Sequence, residues 1–172
     1  GAGKTSAARL ILREEIPDSG EIIIDKEHIG RLRRRELPYL RRKIGVVFQD
    51  FKLFSFTLGQ NIAANKNYDR NRVEECIKKV SFYDRYLAME EGLDTYLYQD
   101  ISEKGLEISS GEAQKIALAR ALYKGTPMIV LDEPTAGLDP KGRDDILDQI
   151  AYLHTQRDMT VILVSHSMED IA

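Results

Sequence analysis

Residues 108–114 read Ile108-Ser109-Ser110-Gly111-Glu112-Ala113-Gln114, and residues 128–135 read Met128-Ile129-Val130-Leu131-Asp132-Glu133-Pro134-Thr135. The second stretch is a short apolar run that ends in two carboxylates. Such a run predicts a strand of a parallel sheet, buried on both faces. The first stretch is a polar helix start. Ser109 and Glu112 stand at the S-x-x-E spacing of a capping box, and a capped helix N-terminus turns its free N–H groups toward an anion. A second β-branched run, Thr160–Ser165, is expected to be a strand of the same kind. Between the two runs, Asp139 reads as an N-cap and Pro140 as the first helical residue. The helix they open should bury Ile146, Leu147, Ile150 and Leu153. Strand, helix and strand in alternation predict an α/β fold with a parallel sheet and a site at the strand C-terminal ends.

The chain begins Gly1-Ala2-Gly3-Lys4-Thr5, which fits the end of the phosphate-loop pattern G-x-x-x-x-G-K-[ST]. The first glycine of that pattern would lie three residues before Gly1, so the chain is expected to be incomplete at its N-terminus, within this motif. In the pattern Lys4 reaches the β- and γ-phosphates and the Thr5 hydroxyl binds Mg²⁺. The helix that follows, expected over residues 5–14, opens on this loop and presents N–H groups to the anion. The competing reading is a plain Gly-Ala-Gly terminus. Taken alone it would win, but the downstream motifs stand in register with the loop and disfavour it.

Composition bounds the function classes. With 172 residues, 42% hydrophobic and 31% charged, the chain reads as one soluble globular domain. No apolar run is long enough to predict a transmembrane helix. The single Cys76 excludes an internal disulfide and fits a reducing compartment. It shares helical spacing with Val73, Ile77 and Val80, a core stripe. The net charge of −3 argues against a nucleic-acid partner. Basic residues do cluster, from Arg31 and Arg33–Arg35 to Arg41, Arg42 and Lys43. A solvated face is the favoured reading; contact with lipid headgroups or an acidic loop is the sharper one.

Other stretches place smaller elements. Pro17-Asp18-Ser19-Gly20 predicts a turn, Glu21–Asp25 a short strand, and Ile44–Phe48 a buried strand ending at Gln49. Lys26 follows Asp25 and leaves the type of the next turn open. Residues 52–107 read mostly as helix and loop. Phe51 and Phe54 fit either a groove or ordinary core.

Taken together, Gly1–Thr5, Gln49, Ile108–Gln114, Met128–Thr135, Leu138-Asp139 and His166 resemble the motif series of the ATP-binding cassette (ABC) ATPases, over nearly the whole chain. The resemblance implies a P-loop NTPase fold: a RecA-like parallel sheet, a helical signature subdomain at about residues 52–125 inserted in it, and the remnant of an antiparallel β subdomain. It implies a single domain over residues 1–172 that binds ATP and Mg²⁺, with Gly1, Ala2, Gly3, Lys4 and Thr5 on the phosphates. It implies a metal shell of Thr5, Gln49 and Asp132. Glu133 would polarise the attacking water, and Gln49 and His166 would join it in catalysis. Ser109, Gly111 and Glu112 would read the γ-phosphate of an ATP held by a second ABC ATPase domain, head to tail. The family phrase is Leu-Ser-Gly-Gly-Gln; here Ile108, Ser110 and Glu112 depart from it. A transmembrane permease is the further partner implied, which puts the chain at the cytoplasmic face of a membrane.

Residues 20–50 look like the bacterial cell-division ATPase FtsE, residues 52–125 like bacterial exporters, and residues 126–172 like energy-coupling-factor vitamin importers. Transport is therefore the main reading. An FtsE-like role without transport, or a non-hydrolysing interaction module, is the alternative. A DNA-repair ATPase would need a long coiled-coil insertion, and a translation factor a second cassette; the sequence has neither.

Overall fold

The computed structural model describes residues 3–156, 159–165 and 167. Helix α1 (Gly3–Ile11) leads to the strands β1 (Ile23–Ile24) and β2 (Glu27–His28), and the short helix α2 (Leu37–Arg42) precedes β3 (Ile44–Val47). Helices α3 (Leu58–Ala63), α4 (Arg70–Lys79), α5 (Tyr83–Leu87) and α6 (Ser110–Lys124) follow. The chain then runs through β4 (Met128–Asp132), α7 (Pro140–Gln156) and β5 (Thr160–Val164).

Strands β3, β4 and β5 form a parallel sheet in that order, with Val47 opposite Leu131 and Asp132 opposite Val164. Alternate residues of β4 serve two cores, as the period of two in a strand requires. Val130 joins Ile44 in a cluster with Ala8, Leu12, Ile29 and Leu40. Ile129 and Leu131 face the larger cluster, built on Ile116, Ala119, Ile146 and Ile150. The strand is therefore apolar throughout because both faces are covered. The α/β expectation holds. Strand β5 is less buried than expected: Val161, Ile162 and Leu163 are half-buried, because among the described residues β5 pairs with β4 alone.

Strands β1 and β2 form an antiparallel hairpin whose two turn residues, Asp25 and Lys26, have φ of 51° and 64°. Left-handed backbone at both positions marks a type I′ turn, which matches the twist of the flanking strands. This settles the turn that the sequence left open. Lys43 Nζ lies 3.7 Å from Asp25 and 3.5 Å from Glu27, an exposed ionic contact across the hairpin.

Helix α4 buries Val73, Cys76 and Ile77, with Val80 just beyond its end, as the stripe predicted. Gly142 N–H donates to Asp139 Oδ1 at 3.1 Å at the start of α7, so Asp139 caps that helix. Ile146, Ile150 and Leu153 are buried, but Leu147 is only half-buried. It stands one residue, and so about 100° of helix, away from Ile146. Among the described residues no helix is long and apolar enough to cross a membrane.

Candidate functional site

The parallel register builds the centre of the site. Val47 and Leu131 are opposite one another. Gln49 and Glu133 each lie two residues further on, so the two chain ends emerge side by side. Asp132 is 2% exposed and Glu133 8%. Their clefts differ. Asp132 lines one with Arg9, Glu14, Phe48, Gln49 and Asp50. Glu133 lines another with Gln49, Ser110, Gln114 and Ala136. Gln49 belongs to both and is itself exposed.

The backbone separates the two carboxylates. Asp132 still belongs to the extended strand, whereas Glu133 has φ of 51°. That left-handed conformation costs a residue with a Cβ about 1–2 kcal/mol. It is held by the Glu133 N–H, which donates to Val164 O at 2.8 Å, and by Ala136 N–H, which donates to Glu133 O at 3.1 Å. Strain of this kind gathers at functional sites.

Helix α6 starts as the capping-box spacing predicted. Ser109 has φ −67° and ψ 161°, its hydroxyl accepts from Glu112 N–H at 3.3 Å, and Glu112 Oε2 accepts from Ser109 N–H at 2.9 Å. Burial pushes the Glu112 carboxyl up. The hydrogen bonds from Ser109 and the positive charge of Arg85 outweigh it and hold the group below the usual glutamate range. Arg85 Nε donates to Glu112 Oε1 at 2.8 Å. Ser109, Gly111 and Glu112 line a surface depression with Arg85, Leu138 and Asp139. A Cβ on Gly111 would meet only Leu138 Cδ2, at 4.0 Å. Packing within the chain does not demand glycine there.

The far end of α6 is anchored to the sheet. Lys124 Nζ donates to Arg41 O and Ile44 O, both at 2.7 Å, and burial pulls this ammonium below the usual lysine range. Mid-helix, Arg120 Nε donates to Asn61 O at 2.7 Å and Nη1 to Lys52 O at 3.1 Å. Asn61 in turn donates to the carbonyls of Phe54, Phe56 and Thr57 and accepts from Phe54 N–H at 2.9 Å. Phe54 and Phe56 are stacked and 56% and 47% exposed, beside a depression bordered by Asn61 and Arg120. Phe51 packs against the core. Of the two phenylalanines left open by the sequence, Phe51 is half-buried against the core and Phe54 is exposed at a surface depression.

Gly3, Lys4 and Thr5 form the first turn of α1. That helix packs on β4 and β5 and carries Arg9 to the Asp132 cleft. Gly1, Ala2 and His166 lie outside the described residues. Among those described, no three His, Cys, Asp or Glu side chains gather as a metal cluster. Magnesium does not need one: it takes one or two carboxylates, with phosphate oxygens and water completing its shell. Asp132 Oδ1 is buried and accepts no hydrogen bond among the described residues, so an acceptor is available there and the donor set fits.

Arg85, Arg120 and Asn61 were not visible in the sequence as site residues. Arg85 reaches Glu112 across 27 residues and Arg120 reaches Asn61 across 59, and neither contact carries a spacing signal.

A helix opening at Gly3, a parallel strand ending in two acids and a glutamine beside them are the arrangement of a P-loop NTPase fold of the ABC class. The family model described as ABC transporter matches residues 1–136, and the chain belongs to that family. It is 40% identical over its whole length to the energy-coupling factor transporter ATP-binding protein EcfA2 of Clostridium tetani, covering 58% of that protein. It is 38% identical to the ATP-dependent lipid A-core flippase of Pectobacterium atrosepticum, over 99% of this chain and 28% of the flippase. A bacterial Atm1-family ABC exporter solved with ATP bound superposes with a TM-score of 0.80 at 33% identity, over 99% of this chain and 29% of the exporter. The chain thus spans a little over half of the EcfA2 protein and under a third of the flippase and of the Atm1-family exporter.

Proposed function

We propose that this chain binds and hydrolyses ATP as the energy-supplying part of a transporter, working head to tail with a second ABC ATPase domain against a membrane-spanning permease. The observation that carries the reading is the placement of the two half-sites. Ser109, Gly111 and Glu112 open onto a depression that Asp132 does not line. A nucleotide held at the Asp132 end needs a second chain to bring such a helix start to its γ-phosphate. The free space at Gly111 supports this, since close approach of an outside group is a reason to keep glycine where packing does not.

The roles follow from the positions. Lys4 and the N–H groups of Gly1, Ala2 and Gly3 hold the β- and γ-phosphates. Thr5, Gln49 and Asp132 would hold magnesium, and the buried Asp132 Oδ1, which accepts no hydrogen bond among the described residues, is an acceptor free to take it. A magnesium ion held by these residues would supply positive charge to offset the charge that develops on the phosphates. Glu133 accepts the proton of the attacking water, and its cleft is distinct from that of the metal-holding carboxylate. Gln49 orients the same water from between the two clefts. His166 would contact the γ-phosphate. The exposed Phe54–Phe56 pair is the surface offered to the permease, which would keep the chain at the cytoplasmic face of the membrane.

The test is phosphate release as a function of protein concentration. A trans site makes activity rise faster than linearly. Strict proportionality down to monomeric concentrations would sink the head-to-tail reading.

A further inference from the structure

The start of α6 carries a charge that opposes the task proposed for it. Glu112 stands where the family phrase has glutamine. Its carboxylate accepts the Ser109 N–H at 2.9 Å and so lies beside the groups a triphosphate would meet. A second anion arriving there is repelled by the first, and like charges brought together across an interface are costly.

Arg85 answers that charge from another helix. It belongs to α5, and its Nε donates to Glu112 Oε1 at 2.8 Å. The two side chains are 41% and 25% exposed, so water screens the pair only in part. The remaining guanidinium N–H groups make no further hydrogen bond among the described residues. Arg85 lines the same depression as Ser109, Gly111 and Glu112. As a brace for the fold, a partly exposed pair of this kind adds little. As a neutraliser at the mouth of an anion site it matters, because an extended positive fork next to the carboxylate cancels the field that a phosphate would feel.

We propose that Arg85 is a positioning residue for trans nucleotide binding: it offsets Glu112 and so allows the triphosphate held by a second copy to dock on the start of α6. This rests on the head-to-tail reading above, and the experiment separates the two. Dimerisation of the full chain is followed by analytical ultracentrifugation with the magnesium complex of a non-hydrolysable ATP analogue. Thermal midpoints of each variant are recorded alongside.

Arg85→Ala should weaken analogue-dependent dimerisation about tenfold or more, and Arg85→Lys should restore part of it. Glu112→Gln should do the opposite and tighten the dimer, since it leaves the arginine charge in place. Combining Arg85→Ala with Glu112→Gln should return the dimer to within about threefold of the parent, because the two charge effects cancel. A bracing role predicts otherwise: both single variants weaken the dimer alike and the pair is no better than Arg85→Ala. That pattern, or parent-like dimerisation of Arg85→Ala, overturns the proposal. A parent that stays monomeric with analogue bound overturns the head-to-tail reading, and this inference with it.

Discussion

Asp132 and Glu133 are consecutive residues that line two different clefts, and the chain turns to a φ of 51° at the second of them. One acid stays in line with the strand, 2% exposed, with an oxygen that accepts no hydrogen bond among the described residues. The other turns toward the side on which Ser110 and Gln114 stand. A strand end has thereby become two workplaces rather than one.

The separation predicts two different mutant phenotypes. If Glu133 is the base, Glu133→Gln keeps the shape and removes it, so single-turnover hydrolysis should fall by roughly 10²–10⁴ while nucleotide binding survives. Asp132→Asn should instead weaken magnesium-dependent nucleotide binding, measured by calorimetry. If Glu133→Gln hydrolyses ATP at the parent rate, the water is positioned by Gln49 or His166.

The Asp25-Lys26 turn predicts a stabilising change. Lys26 holds φ of 64° with a side chain for which the region is unfavourable. Lys26→Gly relieves that cost and loses some of it again to the freer unfolded chain. The net gain should be about 0.5–1 kcal/mol, read from the urea midpoint. An unchanged or lower midpoint contradicts the type I′ assignment.

Gly105 predicts the reverse. It ends a tight turn in which its N–H donates to Ser102 O at 2.8 Å, and a Cβ there would overlap the Tyr98 carbonyl. Backbone atoms cannot step aside as a flexible side chain can. Gly105→Ala should cost about 1–3 kcal/mol or more, again by urea unfolding. A cost near zero would mean that residues 98–106 can rearrange freely.

Alkaline pH offers a fourth check. Burial, reinforced by the bond from its hydroxyl to Glu74 Oε1 at 2.9 Å, pushes the Tyr86 phenol from 10.0 up to about 12. A group whose pKa is raised by folding contributes its stability below the unfolded value and loses it as pH climbs to the folded one. The loss attributable to Tyr86 therefore falls between pH 10 and about 12. Tyr86→Phe should lose less stability over that window than the parent, in urea titrations at several pH values. Parallel curves for the two proteins would refute the assignment.

Much of this was legible in the chain itself, and for identifiable reasons. The β4 run and its acids could be read because a doubly covered strand must be apolar to its end. The Ser109 cap and the Asp139 cap could be read because capping is a local rule with fixed spacing. The left-handed Glu133 could not, since glutamate has no tendency toward that region and only its neighbours impose it. Phe51 and Phe54 are alike in sequence, and only the tertiary packing of residues far along the chain leaves one half-buried against the core and the other exposed. Arg85 was invisible because nothing at position 85 announces an acid 27 residues later.

The bonds around Asn61 leave no slack between two distant surfaces. Arg120 grips Asn61 from the middle of α6, and Asn61 grips the backbone on both sides of the stacked phenylalanines. Pressure on that aromatic pair is therefore pressure on a fifteen-residue rod. One end of the rod is fastened to the sheet through Lys124, and the other starts at Ser109, where Arg85 holds Glu112. A push on the phenylalanines would reach both ends through one helix.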